Sequence, residues 1–334
     1  ASSVVFVAYR RSSVFFLREP RVQSKKCFFI CKRFNMKIIV TGGAGFIGSH
    51  IVDALLKAEY EVHIVDNLST GKKENINQKA IFHNVDIRDY DKLLPIFKNV
   101  KYVFHEAAFP QVQYSIENPV ETNEINVVGT LNVLEASRLN KVERIIFASS
   151  SAVYGGQDIL PITENMEVNP LSPYGSQKYM GEVYMKLYSQ IYDLETVSLR
   201  YFNVYGPRQS ASGAYASVIP KFIEFREKNE PLLVTGDGEQ TRDFINVRDV
   251  VAANILAMKG DEVGKGEVIN IGSGRQYSIN HIAKLFDGEV SYIPPRIEPR
   301  KTEASITKAK ELLNWEPKVT LEDGIAELKK YHNI

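Results

Sequence analysis

Lys37-Ile-Ile-Val-Thr41-Gly42-Gly43-Ala44-Gly45-Phe46-Ile47-Gly48-Ser49-His50 is the stretch that decides how this chain folds. Its short apolar run reads as a buried strand, and Ser49 to Ala58 follows with apolar residues at helical spacing, Ile51, Val52, Leu55 and Leu56. Between them Gly42, Gly45 and Gly48 recur at three-residue intervals. In such a strand–turn–helix, Gly42 permits the tight turn, Gly45 lets backbone approach a pyrophosphate, and Gly48 lets helix and strand pack closely. The helix N-terminus, with Phe46 and Ile47 beside it, then turns unpaired N–H groups and its dipole toward phosphates. A glycine triplet alone is weak evidence, since loops are often glycine-rich. Its context is stronger: Glu61-Val-His-Ile-Val65 reads as a second strand ending in Asp66, with Asn67 next. An acid about 20 residues beyond the glycines accepts from adenosine ribose hydroxyls and repels a 2′-phosphate, which points to NAD over NADP.

A second constellation lies downstream. Arg144-Ile-Ile-Phe-Ala148 reads as a strand delivering Ser149, Ser150 and Ser151, and Tyr174-Gly-Ser-Gln-Lys178 follows. A Tyr and a Lys four apart share one helix face. A nearby ammonium favours the phenolate, so such a Tyr can act as a base below its usual pKa of about 10. With a serine hydroxyl at a strand end, the trio suits taking a proton from an alcohol whose carbon gives up a hydride. Alone, Tyr-x-x-x-Lys usually means two exposed helix residues. The nucleotide fingerprint in the same half of the chain reverses those odds. Prolines in Asn169-Pro-Leu-Ser-Pro173 start the helix, putting Tyr174 in or near its first turn.

Strand and helix signals alternate throughout: Ala80–Val85, Val100–Phe104 and Glu195–Arg200 read as further strands. Asn123–Leu139 reads as a long helix with Val127, Leu131, Leu134 and Ala136 inward. Such a βαβ series predicts an α/β fold, a Rossmann-type doubly wound parallel sheet, with ligands beyond the carboxyl ends of its strands. The 334 residues allow a large cofactor domain over 36–205 and a smaller lobe over 206–334, with some return of chain to the first. Cys27 and Cys31 are the only cysteines, so no disulfide framework exists and a reducing, cytoplasmic setting is expected. No apolar run reaches the length of a membrane span. Residues 1–35 carry eight Lys/Arg and one acid, leaving 33 basic against 39 acidic residues beyond them. That acidic remainder argues against nucleic acid. The segment reads as an atypical basic N-terminal extension rather than a transit peptide, because Phe15-Phe16 and Phe28-Phe29 lack an amphipathic period.

From Met36 to about Leu328 these motifs, in this order, resemble the extended short-chain dehydrogenase/reductases, specifically the UDP-glucose/UDP-N-acetylglucosamine 4-epimerase group. The resemblance implies that Tyr174 is the base, that Lys178 anchors the nicotinamide ribose and lowers the Tyr174 pKa, and that Ser150 stabilises the developing carbonyl. It implies that Asp86 and Ile87 bracket the adenine, that Ala107 and Ala108 let backbone pass the cofactor, and that Asn126 ties the long helix to the strand beneath it. Tyr201 then walls the nicotinamide, and Asn203 contacts the diphosphate or sugar. Ala216 and Val218 through their backbone, with Lys221 and Phe222, close over the uracil. Arg242 meets the diphosphate, Arg296 a phosphate (with Arg300 as rival) and Glu298 a ribose hydroxyl. Thr302 falls where the family gates the sugar's C2 substituent. Asp243 and Asp249 are expected to fix a turn and cap the next helix. The resemblance also implies a homodimer built through a four-helix bundle.

Related dehydratases carry an Asp-Glu pair directly after the serine, and related decarboxylases a Glu; here Ser151 and Ala152 stand there. Without that acid, elimination lacks its proton donor and acceptor, which favours epimerisation. The alternatives are UDP-glucuronate epimerisation or decarboxylation, and a sensing protein that keeps the fold without turnover. The intact Ser150, Tyr174 and Lys178 argue against the last.

Overall fold

The computed structural model describes residues 36–211, 217–295 and 299–334, so the basic extension lies outside the described residues. β1 (Lys37–Thr41), α1 (Phe46–Lys57) and β2 (Glu61–Asp66) form the strand–turn–helix–strand that the glycine stretch requires. β3 (Ile81–Asn84), β4 (Val100–His105), β5 (Arg144–Ser150) and β6 (Glu195–Tyr201) follow. Before β5 the chain winds through helical turns at Pro119–Asn123 and Glu124–Val128 into α2 (Gly129–Leu139); before β6 it forms α3 (Pro173–Tyr192).

Beyond β6 the chain leaves the sheet for a smaller lobe. There β7 (Asn203–Tyr205), α4 (Val218–Lys228), β8 (Leu232–Thr235), β9 (Thr241–Arg242) and β10 (Phe244–Asn246) appear in turn. α5 (Val247–Lys259) and β11 (Lys265–Ile271) bring it back to the sheet. β12 (Tyr277–Ser278), α6 (Ile279–Phe286) and β13 (Val290–Ile293) rejoin the lobe, α7 (Thr307–Leu313) packs under the sheet, and α8 (Leu321–His332) closes the lobe.

The large sheet is seven-stranded, in the order β11-β6-β5-β4-β1-β2-β3, and every pairing in it is parallel. Both faces are covered, as a parallel sheet demands. Ile38 and Val40 point to one core with Leu55, Val250, Ile269 and Trp315, while Ile39 points to the other with Phe147, Val133 and Met185. Each such side chain contributes roughly 1.5–3 kcal/mol on burial. The lobe has its own core around Phe222, Phe286, Leu232 and Ile325. Strand order reverses at β1, between β2 and β4, and a crevice opens at the carboxyl ends there.

One departure concerns the long helix. Val127 and Leu131 are only half-buried, while Asn126, Thr130 and Val133 face inward. Glu124–Val128 is a π-helical turn, and its extra residue rotates the buried face relative to a regular 3.6-residue period.

Candidate active site

At the end of β1 the backbone enters the left-handed region at Gly42, with φ 69°. Its N–H donates to Val65 O at 2.8 Å, tying the turn to β2. A Cβ added at Gly42 would stand 2.7 Å from Ala107 N, and one at Gly48 would stand 2.3 Å from Gly42 O, so both positions exclude a side chain. A Cβ at Gly45 would meet only Gly42 O, at 3.1 Å; that side of the turn is open to a ligand. Gly45 is also the N-cap of α1, which has no side-chain cap and no acid in its first turn, where Phe46 and Ile47 lie. Its first N–H groups are therefore left for an anion.

Asp66 is buried at the end of β2. Its carboxylate accepts from Ala44 N at 3.0 Å and Leu68 N at 2.8 Å. Burial pushes its pKa up, and those two N–H groups oppose the shift. Four lone-pair sites against two donors leave it capacity for ribose hydroxyls. Next to it Asn67 Nδ2 donates to Asp86 Oδ2 at 2.8 Å, and Arg88 forks onto the same carboxylate at 3.0 and 2.8 Å. Those bonds hold the Asp86 pKa down at about 2. Ile87 is buried against Gly129, whose missing side chain makes room for it.

On the other side of the crevice, the β4 end carries a network that sequence reasoning missed. Thr130 Oγ1 donates to Asn126 O at 2.7 Å, so it accepts from His105 Nε2 at 2.9 Å; His105 Nδ1 then accepts from Thr41 Oγ1 at 2.7 Å. Burial keeps His105 neutral, with a pKa of about 3. Thr41 Oγ1 also accepts from Ala107 N at 3.3 Å, which seats the half-exposed Ala107 and Ala108 against the glycine turn. Asn126 grips Phe109 through both of its backbone groups, at 2.7 and 3.1 Å, and donates to Gln177 Oε1 at 2.8 Å. The π turn thus links the strand below the crevice to α3.

Ser172 caps α3, accepting from Gly175 N at 3.2 Å, with Pro173 in the first turn. Gly175 comes so near the turn after β5 that a Cβ there would lie 2.6 Å from Ala152 O. That approach, with Ser115 Oγ accepting from Tyr174 N at 3.0 Å, sets Tyr174 opposite Ser150. The Ser150 hydroxyl accepts from Ala152 N at 3.1 Å. Ser149 instead donates to Glu182 on α3, away from the crevice. Lys178 is buried and donates from Nζ to Ala148 O at 2.7 Å; its Nζ lies 5.9 Å from the Tyr174 ring centroid.

Burial dominates the electrostatics of the Tyr174 and Lys178 pair. The Tyr174 phenol is pushed up, to about 12, by burial, with Ser150 pulling the other way and Glu106 adding to the rise. Burial lowers Lys178 itself to about 8, with Glu106 and Glu182 opposing the shift, and its ammonium is turned to Ala148 O. Glu106, which the sequence reading passed over, is raised to about 7 by burial, while Tyr201 and Lys178 oppose the shift. The Tyr201 hydroxyl donates to Glu106 Oε1 at 2.9 Å and accepts from Asn254 Nδ2 at 2.8 Å.

In the lobe, Asp243 organises what the sequence reading assigned to substrate. Its carbonyl accepts from both Asn203 N and Nδ2, at 3.0 and 3.1 Å, and its N–H meets Thr302 Oγ1 at 3.4 Å. Its carboxylate receives Ser273, Gly274 and Ala304. Arg242, one residue before it, pairs across β9 and β12 with Tyr277. Asn203 and Thr302 therefore meet at the Asp243 backbone, one residue after Arg242. Asp249 does not cap α5: Asn246 does, accepting from Arg248 N at 3.0 Å, and Asp249 receives Val319 N at 3.0 Å. On α4, Val218 is half-buried, Lys221 pairs with Glu224 at 2.7 Å, and the Phe222 ring is fully buried edge-on to Phe286, so that ring serves the lobe's core rather than a ligand wall. Arg300, the rival for a phosphate, forks onto Asp237 at 2.8 and 2.7 Å. Ala216, Arg296 and Glu298 lie outside the described residues.

Comparison with known proteins agrees with this geometry. The chain is 49% identical over 297 residues to a putative UDP-glucose 4-epimerase of Methanocaldococcus jannaschii, covering 86% of this chain and 95% of that protein. It superposes with a TM-score of 0.86 on the UDP-glucose 4-epimerase of Thermotoga maritima solved with UDP-glucose, at 43% identity and covering 89% and 99% of the two chains. A UDP-N-acetylglucosamine 4-epimerase from Methanobrevibacter ruminantium, in complex with UDP-N-acetylmuramic acid, gives 0.85 at 39% identity, over 89% and 97%. Residues 38–272 match the NAD dependent epimerase/dehydratase family. The chain belongs to that family, and NAD is its cofactor.

Proposed function

We propose that this protein is a UDP-sugar 4-epimerase, an isomerase acting on UDP-glucose/UDP-galactose and UDP-GlcNAc/UDP-GalNAc through a 4-keto sugar. The observation that carries this reading is Tyr174 set opposite Ser150, beside a glycine turn that excludes side chains, with no carboxylate at Ser151 or Ala152. The residues present fit the dinucleotide: the uncapped α1 N-terminus faces its pyrophosphate, and Asp66 and Asn67 take the adenosine ribose. Asp86 and Ile87 flank the adenine, and Ala107, Ala108, Asn126 and Tyr201 border the nicotinamide end. When bound, NAD supplies the acceptor and later the donor of the C4 hydride, together with a positive charge. Tyr174 takes the proton of the 4-hydroxyl and returns it. Ser150, held by Ala152 N, donates to the carbonyl oxygen as it forms, and Lys178 binds the nicotinamide ribose. Asn203 and Arg242 hold the diphosphate while the sugar turns over between the two transfers. Val218, Lys221 and Ala216, with Arg296 and Glu298, complete the nucleotide end.

The division is a cofactor domain over 36–205 and a sugar-binding lobe over 206–334, and the assembly is a homodimer through α3 and the helix that ends in α2. A cytoplasmic location accords with the two-cysteine sequence. UDP-glucuronate chemistry is the lesser reading, because no acid stands beside the serine. Assaying the purified protein on UDP-glucose, UDP-GlcNAc and UDP-glucuronate tests the assignment. Turnover of UDP-glucuronate alone would refute it. Thr302, whose hydroxyl meets Asp243 N, is small where an aromatic ring would fill the space an N-acetyl group needs, and steric exclusion decides such selectivity. Thr302→Tyr should abolish N-acetyl activity and spare the plain hexoses. A parent enzyme that already rejects UDP-GlcNAc refutes the gate.

A further inference from the structure

Glu106 is an acid at the mouth of the crevice that the proposed chemistry leaves idle. It follows β4 directly, and its N–H donates to Thr41 O at 3.2 Å, so its backbone is locked to the end of β1. Its carboxylate accepts from Tyr201 at the end of β6, and Tyr201 is itself held by Asn254 from α5. Three elements thus fix one carboxylate at the strand ends that the α3 pair faces: its partner Tyr201 lies opposite Ser150 in the β5–β6 register, and Lys178 donates to Ala148 O of the same β5. We propose that Glu106 is a positioning residue of that pair: once ionised, its carboxylate keeps Lys178 an ammonium, opposes the Tyr174 phenolate, and so sets the pH range of turnover. The inference rests on the epimerase reading for its kinetic arm only.

The groups that face Glu106 are few. From α3 come Lys178, the one cation acting on it among the described residues, and Tyr174, on which it acts; from β6 comes Tyr201, and from α5 the neutral Asn254 behind it. Glu182, also on α3, acts on Lys178 in the same sense as Glu106. An anion raises the pKa of every neighbour, acid or base, so its removal lowers both Tyr174 and Lys178. The low-pH limb of the pH–rate profile needs Tyr174 deprotonated and the high-pH limb needs Lys178 protonated; both then move toward lower pH.

Glu106→Gln keeps an oxygen for Tyr201 to donate to and removes only the charge. Both limbs of its kcat profile on UDP-glucose should shift acidward by roughly half to one pH unit, and Glu106→Asp should restore the parental limbs. A second arm needs no turnover. Glu106 is raised above its unfolded value, so its contribution to stability is present below about pH 4.3 and is lost as pH rises through about 7. The Tm of the holoenzyme minus that of the Glu106→Gln holoenzyme should therefore fall between pH 5 and pH 7.5. Should Glu106→Gln not fold, Tyr201→Phe removes the donor that holds the carboxylate ionised, and the fall in Tm with pH should move to higher pH. Unshifted limbs with uniformly lower kcat, or a flat Tm difference, overturn the proposal. A parent with no epimerase activity sinks the functional reading instead, and the Tm arm still decides the role of Glu106.

Discussion

Burial and two neighbours, Ser150 and Glu106, set the resting Tyr174 phenol. Burial raises the phenol, Ser150 lowers it and Glu106 raises it further. A buried neutral phenol facing a serine hydroxyl is a proton carrier at rest, and it becomes a base only when positive charge arrives beside it. On the proposed epimerase reading the phenol oxygen carries the chemistry while the ring carries the packing. Tyr174→Phe should fold, retain NAD and lose about 10²–10⁴-fold in kcat. Initial rates of UDP-galactose formation, set beside bound cofactor measured by absorbance after denaturation, separate the two effects. Activity within a few-fold of the parent would show that another group moves the proton.

α3 delivers Tyr174 and Lys178 from one face, and what orients that face is a buried ion pair. Glu182, one turn beyond Lys178, accepts from Arg200 Nε and Nη2 of β6 at 2.8 and 2.7 Å and from Ser149 of β5. Both charged side chains are under 5% exposed, so the pair is desolvated and removing one partner strands the other. Glu182→Gln should cost about 3–5 kcal/mol, a loss of order 10 °C in Tm. Replacing both residues together by Met should recover most of that loss. A single variant with parental Tm would mean that water reaches Arg200. This lock was not legible in the sequence, whereas the helix it holds was. The glycine turn, Asp66 and the Tyr/Lys spacing are local signals whose physics is complete within a turn or a strand pair. Thr41 and His105 are 64 positions apart, and Glu106 and Tyr201 are 95 apart; no periodicity encodes such contacts before the sheet is assembled. The π turn at Asn126 was hidden for a related reason, since a single extra residue per turn leaves no compositional trace.

At the scale of the molecule, α3 turns one face to the sheet and leaves another uncovered. Tyr179, Met180, Val183, Leu187 and Ile191 form a stripe along it, each 40–59% exposed, with Ile116, Val120 and Val128 exposed on the neighbouring helical turns. The buried face holds Tyr174, Lys178 and Glu182. A single helix thus has Tyr174 and Lys178 on one side and a contiguous apolar patch on the other. Patches of this kind mark association surfaces, and a two-fold contact of two helices with two helices covers it symmetrically. Charge placed at the middle of the stripe has no partner in such a contact and must be desolvated at a cost of several kcal/mol. Val183→Glu together with Leu187→Glu should leave the monomer folded, because both side chains are half-exposed in the chain described. Sedimentation at micromolar concentration should give twice the 37.7 kDa chain mass for the parent and the single-chain mass for the double variant. Turnover should fall with the dimer, since Ser115, which accepts from Tyr174 N, adjoins the exposed Ile116, and Gln177 of α3 donates to Thr122 on the helical turn that carries the exposed Val120. A parent that sediments as a monomer with full activity would separate the apolar face from catalysis altogether.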